Sequence, residues 1–184
     1  MMRGPDGERL RVGRYVDPQD IFEGLRSHYA TGEASNIPAK DFAARAIERA
    51  FTVNFEHIKK RKDLTAVCSL GSVTDMDLID AARQQGYYIS FYYMGVRKWE
   101  ICCDYIRRTK DHWLARLSDN DIFGNYHRSL ATLPGAIIAA DNGAVIDNSV
   151  QGKSRPLLEI RDGRIQIIDK NLPDWVLDPL SRCL

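Results

Sequence analysis

The chain has 184 residues, with 26 Lys and Arg against 25 Asp and Glu and a formal net charge of +1. That length suits one domain with a substantial core, and interspersed, balanced charge argues against a nucleic-acid or membrane-surface binder. No run nears the roughly 20 apolar residues of a membrane span, and the polar N-terminus lacks the apolar core of a secretory signal. Cys68, Cys102, Cys103 and Cys183 show no paired C-x-x-C spacing, and His28, His57, His112 and His127 are scattered. This pattern argues against a zinc site or a disulfide framework and fits a reducing, cytoplasmic setting, with no metal and no membrane expected.

In chain order the first marker is Gly4-Pro5-Asp6-Gly7, by itself a turn signal. It also stands where a phosphate loop would begin. A working loop reads Gly, four residues, Gly-Lys-Ser/Thr, because its amides curl around phosphates, its Lys reaches them and its hydroxyl holds Mg²⁺. Counted from Gly4, the closing positions are Arg9, Leu10 and Arg11. Gly152-Lys153-Ser154 lies far downstream, with Asp147 where the first glycine belongs. Residues 1–12, with Gly4, Gly7, Arg9 and Arg11, are read as a degenerate remnant without a preceding strand. Residues 13–184 form the domain.

Arg14-Tyr15-Val16 is a short strand, and Asp17-Pro18 an N-cap and first-turn proline. The next helix carries Ile21, Leu25 and Tyr29 on one stripe. After a polar break at 32–36, Pro38 opens a long helix to about Lys62, with Phe42, Ala46 and Ala50 at helical spacing; the basic run 59–62 suits its carbonyl end. Leu64 to Leu70 reads as a buried strand, Asp77 to Gln85 as a helix closed by Gly86, and Tyr87 to Met94 as the strongest strand. Helices follow over 97–109 and 118–133, the latter capped by Ser118 and broken at Leu133-Pro134, then a short helix over 136–140. Ala144 to Asp147 is a strand, Asp162-Gly163 turns a C-terminal β-hairpin, and Leu172 to Trp175 begins a docking helix.

The alternation predicts an α/β fold with a mainly parallel sheet flanked by helices on both faces, Leu64–Leu70 and Tyr87–Met94 being interior strands. Ligands in such folds sit beyond strand carboxyl ends, which directs attention to Asp17–Asp20, Ser69–Ser72 and Gly95–Lys98.

The order of short motifs resembles the zeta-toxin-like P-loop kinases, whose toxin members phosphorylate UDP-N-acetylglucosamine within toxin–antitoxin pairs. The likeness runs from about Gly13 to Ile168. It rests on Tyr15-Val16-Asp17-Pro18-Gln19-Asp20-Ile21, on Leu64 to Ile79, on Gly86-Tyr87 with Tyr93-Met94-Gly95, on Tyr126-His127-Arg128-Ser129-Leu130 with Leu133-Pro134, and on Asp147-Asn148-Ser149. It implies a P-loop-kinase-like fold whose first strand and phosphate loop are missing or degenerate.

By that resemblance Gln19 stands where the family has its catalytic Asp, and an amide cannot take a proton at neutral pH. Val67 replaces a Glu near metal and substrate, and Tyr105 an Arg, with Arg107 and Arg108 close by. Arg128 aligns with an Arg facing the nucleotide phosphates; alternatively it is a helix-surface arginine with an acidic neighbour. Asp17 and Asp20 are possible substitute carboxylates, or Asp17 is a cap. Ser69 and Asn148 are candidate ligand contacts, or a capping-region hydroxyl and a turn. Ser72 and Thr74 also suit the start of a helix.

The resulting expectation is a non-catalytic or vestigial relative that binds a nucleotide-like ligand or a protein partner without phosphoryl transfer and needs no cofactor. One alternative is an ATP- and Mg²⁺-dependent kinase in which Asp17 or Asp20, and Arg9 or Arg11, replace the lost groups. The other is an interaction module, or homo-oligomer, using an open sheet edge.

Overall fold

The computed structural model describes residues 13–29, 39–109, 114 and 117–181. They divide into two compact units at Cys68 and Ser69.

The first unit contains β1 (Arg14–Val16), α1 (Pro18–Tyr29), α2 (Ala39–Lys59) and β2 (Leu64–Ala66). β1 and β2 pair in parallel, Arg14 beside Leu64 and Val16 beside Ala66. Their start is tight, since a Cβ on Gly13 would stand 2.0 Å from the Asp63 carbonyl. The Asp17-Pro18 start forms as expected, with Asp17 Oδ1 accepting from the Gln19 amide at 2.8 Å. Every fourth residue of α2 from Phe42 to Ile58 is buried, Ala46, Ala50 and Asn54 included. Small alanines on that stripe let α1 lie close against it. On α1 Pro18 and Phe22 are buried, while Ile21 and Leu25 are half-buried. The cap and Pro18 fix the helix's starting angle, and that angle turns the apolar stripe by one residue.

The second unit contains α3 (Val73–Gln84), β3 (Ser90–Gly95), α4 (Trp99–Arg108), α5 (Asp119–Ala139), β4 (Asn142–Asp147), β5 (Arg155–Arg161), β6 (Arg164–Ile167) and α6 (Asp174–Leu180). Its sheet runs β3-β4-β5-β6. β3 and β4 are parallel, joined through α4 and α5, whereas β5 is antiparallel to both neighbours. The fold is α/β, but this sheet is mixed rather than mainly parallel. Chain length explains the difference: the link from Asp147 to Arg155 is far shorter than the dozen or more residues a parallel crossover needs. Asp162-Gly163, both at positive φ, makes the two-residue hairpin turn.

Two further expectations are corrected. The strands expected over 64–70 and 87–94 both form, but shorter, and in separate sheets; β2 ends at Ala66, and β3 is an edge strand of its sheet. The helix expected to break at Pro134 continues to Ala139. A proline inside a helix removes one hydrogen bond and costs about 3 kcal/mol. Leu133, Ala136 and Ile137 around it are all buried, and the burial of that one face outweighs the missing bond.

The core lies between one face of the sheet and the helices. Leu133, Ala136, Ile137 and Ala140 from the α5 region, and Trp175, Val176 and Leu180 from α6, meet Val145, Leu157, Leu158 and Ile160, with Met76 and Ile79 of α3 against them. Leu157 is the extra residue of a bulge opposite Val145 and Ile146, so both it and Leu158 are buried. Phe91 and Tyr93 face this core, while Tyr92 and Met94, pointing the other way, stay 41 % and 61 % exposed. Arg164 and Gln166 of β6 on that opposite face are exposed too, so among the described residues of this unit the expected helix cover is seen on the core face.

Gly143 sits at φ +149°, and a Cβ there would lie 1.7 Å from the Phe91 carbonyl oxygen. Gly143→Ala forces β3 and β4 apart and is expected to destabilise the protein by about 3 kcal/mol or more, measured by urea unfolding. Pro134→Ala is expected to act oppositely, stabilising by about 1–2 kcal/mol as the Leu130 carbonyl regains a donor, offset in part by a freer unfolded chain.

Candidate functional site

In the second unit the parallel strands β3 and β4 end side by side, Gly95 beside Asp147. Their ladder runs one residue further, the Asn148 amide donating to the Gly95 carbonyl at 2.8 Å. Beyond it Ser149 Oγ accepts from the Arg97 amide at 2.8 Å and donates to Asp147 Oδ1 at 2.5 Å. Arg155 bridges Asp147 at 3.3 Å and Asp169 at 2.8 Å. Asn148 is held from two sides: Tyr105 Oη donates to its carbonyl at 3.1 Å, and Ser154 Oγ to its side-chain oxygen at 2.9 Å. Asp147-Asn148-Ser149 is thus a tied turn at a strand end.

A second polar group forms where the Ser69–Ser72 loop meets α5. Leu70, buried, adopts φ +57°, and a Cβ on Gly71 would stand 2.0 Å from Asn125 Oδ1. Ser69 Oγ donates to that same oxygen at 3.4 Å. Arg128 Nε donates to the Gly71 carbonyl at 2.8 Å, and its guanidinium lies over Gly124, within 3.0 Å of a Cβ position there. Arg128 is thus anchored by a backbone oxygen, and its charge also acts on the Asp121 carboxyl of the same helix.

One turn of α5 joins the two groups. Tyr126 Oη donates to the Val96 carbonyl at 3.0 Å. Ser129, buried, donates to the Tyr126 carbonyl at 2.8 Å and shares a hydrogen with Tyr93 Oη at 3.0 Å. Burial pushes the Tyr126 hydroxyl up to about 12 and the Cys102 thiol to about 11, so neither ionises near neutral pH. His127 packs its ring on Phe123 and Tyr126 at 4.4 and 5.2 Å between centroids.

Of the residues singled out from the sequence, Ser69 and Arg128 come together, and Asn148 lies in the neighbouring turn. Tyr126, Ser129, Tyr93 and Asn125 were not singled out, although all but Asn125 stand within the quoted motifs. Their signal is a run of hydroxyl-bearing residues on helix and strand positions that must be buried. Arg107 pairs with Asp119, and Arg108 donates to Gln151 at 2.6 Å.

In the first unit, Asp17 accepts on both oxygens: Oδ1 from the Gln19 amide and Oδ2 from Tyr15 Oη at 3.1 Å. Gln19 Nε2 donates to Glu23 at 2.5 Å. Asp20 is exposed, and so is Val67 just after β2. Gly4, Gly7, Arg9 and Arg11 lie outside the described residues.

No family model, curated protein or solved structure matches the chain. Among the described residues no helix is long and apolar enough to cross a membrane, and no three His, Cys, Asp or Glu are grouped to hold a metal ion.

Two capping boxes fix the helices that border the site, as Ser72 with Asp75 and Ser118 with Asp121. Burial raises the Asp75 carboxyl against the Ser72 and Leu70 amides, whereas hydrogen bonds from Ser118 lower Asp121. The signs are opposite. Asp75 contributes stability below its unfolded pKa and loses it as pH rises through the raised folded value. Asp121 contributes above its unfolded pKa and loses it as pH falls through the lowered one. Carboxyl NMR titration is expected to place Asp75 above, and Asp121 below, the ordinary aspartate value. Asp75→Asn, which keeps an acceptor without a buried charge, is expected to be milder than Asp75→Ala, which costs about 1 kcal/mol.

Proposed function

We propose that this chain is a non-catalytic binding module of the zeta-toxin-like kind, holding a nucleotide-like ligand or a protein partner at its strand ends without transferring phosphate. The observation that carries the reading is the state of Asp17. It stands two residues before the position where the resemblance places the family's base, and both its oxygens are used to cap α1 and accept from Tyr15. A general base needs a carboxylate oxygen within reach of the substrate hydroxyl. Gln19 and Val67, at the two positions where the resemblance places carboxylates, offer an amide and an isopropyl group.

The polar groups of the second unit support the same reading. Arg128 and Ser149 hold loop backbone in place and the Asn148 side chain is tied to Ser154, which suits a preformed surface. Phosphoryl transfer depends on charge placed around the moving group, and loss of one such contact costs about 10²- to 10³-fold.

The test combines calorimetry and turnover. Titration of ATP–Mg²⁺ is expected to show no binding at or below the micromolar range, and UDP-N-acetylglucosamine is expected to remain unphosphorylated with excess ATP. Gln19→Asp with Val67→Glu is not expected to restore activity. Turnover by the unaltered chain, abolished by Asp17→Asn or Asp20→Asn, would overturn the reading in favour of a rewired kinase.

A further inference from the structure

We draw no further inference here: the strongest candidate, the strained Ser69–Ser72 loop with buried Leu70 at φ +57° and Arg128 held to its Gly71 carbonyl, belongs to the site already described, and nothing in the structure shows a second arrangement of it.

Discussion

The seating of α5 on the core face of the four-stranded sheet constrains the second unit more than any other contact. Burial of Leu133, Ala136 and Ile137 fixes the helix against β4 and β5; a fully buried leucine or isoleucine contributes about 1.5–3 kcal/mol. The two turns that precede those residues then place four polar side chains. Asn125 and Arg128 hold the Ser69–Ser72 loop, Tyr126 holds the end of β3, and Ser129 meets Tyr93. A helix transmits position along its length, so the loops at the strand ends inherit their geometry from apolar packing two turns away. Pro134 stands within this arrangement. Its missing hydrogen bond lies on a helix that the core already holds, so the helix persists where an isolated one would break.

That arrangement also decides what the polar residues at the strand ends can do. Arg128 could hold a phosphate with both ends of its guanidinium if the group were free to turn. With Nε bonded to Gly71 and the plane lying over Gly124, it is oriented before any ligand arrives. Ser149 similarly bonds to Asp147 and accepts from the Arg97 amide, closing the β4 turn. Such groups form a rigid surface at low entropic cost on binding. Each of them is engaged with backbone or with a neighbouring side chain.

Features set by neighbouring residues were legible in the sequence. Asp17-Pro18, Ser118 and Asp162-Gly163 each act within a few residues, through a cap or a turn, and each forms where the sequence places it. The strand over 87–94 was legible too, but its edge position was not, because pairing is a property of distant segments. The mixed sheet follows from the short link between β4 and β5, a length that the sequence contains and that the β-α alternation obscures. Phe22 for Ile21, and the unbroken α5, depend on which face tertiary packing selects, and periodicity gives that face only to within a residue or so. At the site, Ser69 and Asn148 were legible as polar residues after strands, and Arg128 through the resemblance carried by its helix motif. Tyr126 and Ser129 were not, since a buried hydroxyl reads as core until its partner is known.

The two edges of the four-stranded sheet differ in how they limit unwanted pairing. β3 ends where Tyr126 occupies the Val96 carbonyl, and its outward side chains Tyr92 and Met94 belong to the sheet's open face. β6 is shorter, is preceded by a tight turn, and carries Arg164 at its start with Lys170 just beyond its end. Short length and flanking charge are the means by which edge strands resist indiscriminate association. They also select a partner. A strand that paired with β6 would have to leave Arg164 on the solvent side and meet Ile165 and Ile167 with apolar side chains. The features that keep this edge from general aggregation thereby leave few registers open to a strand that meets it.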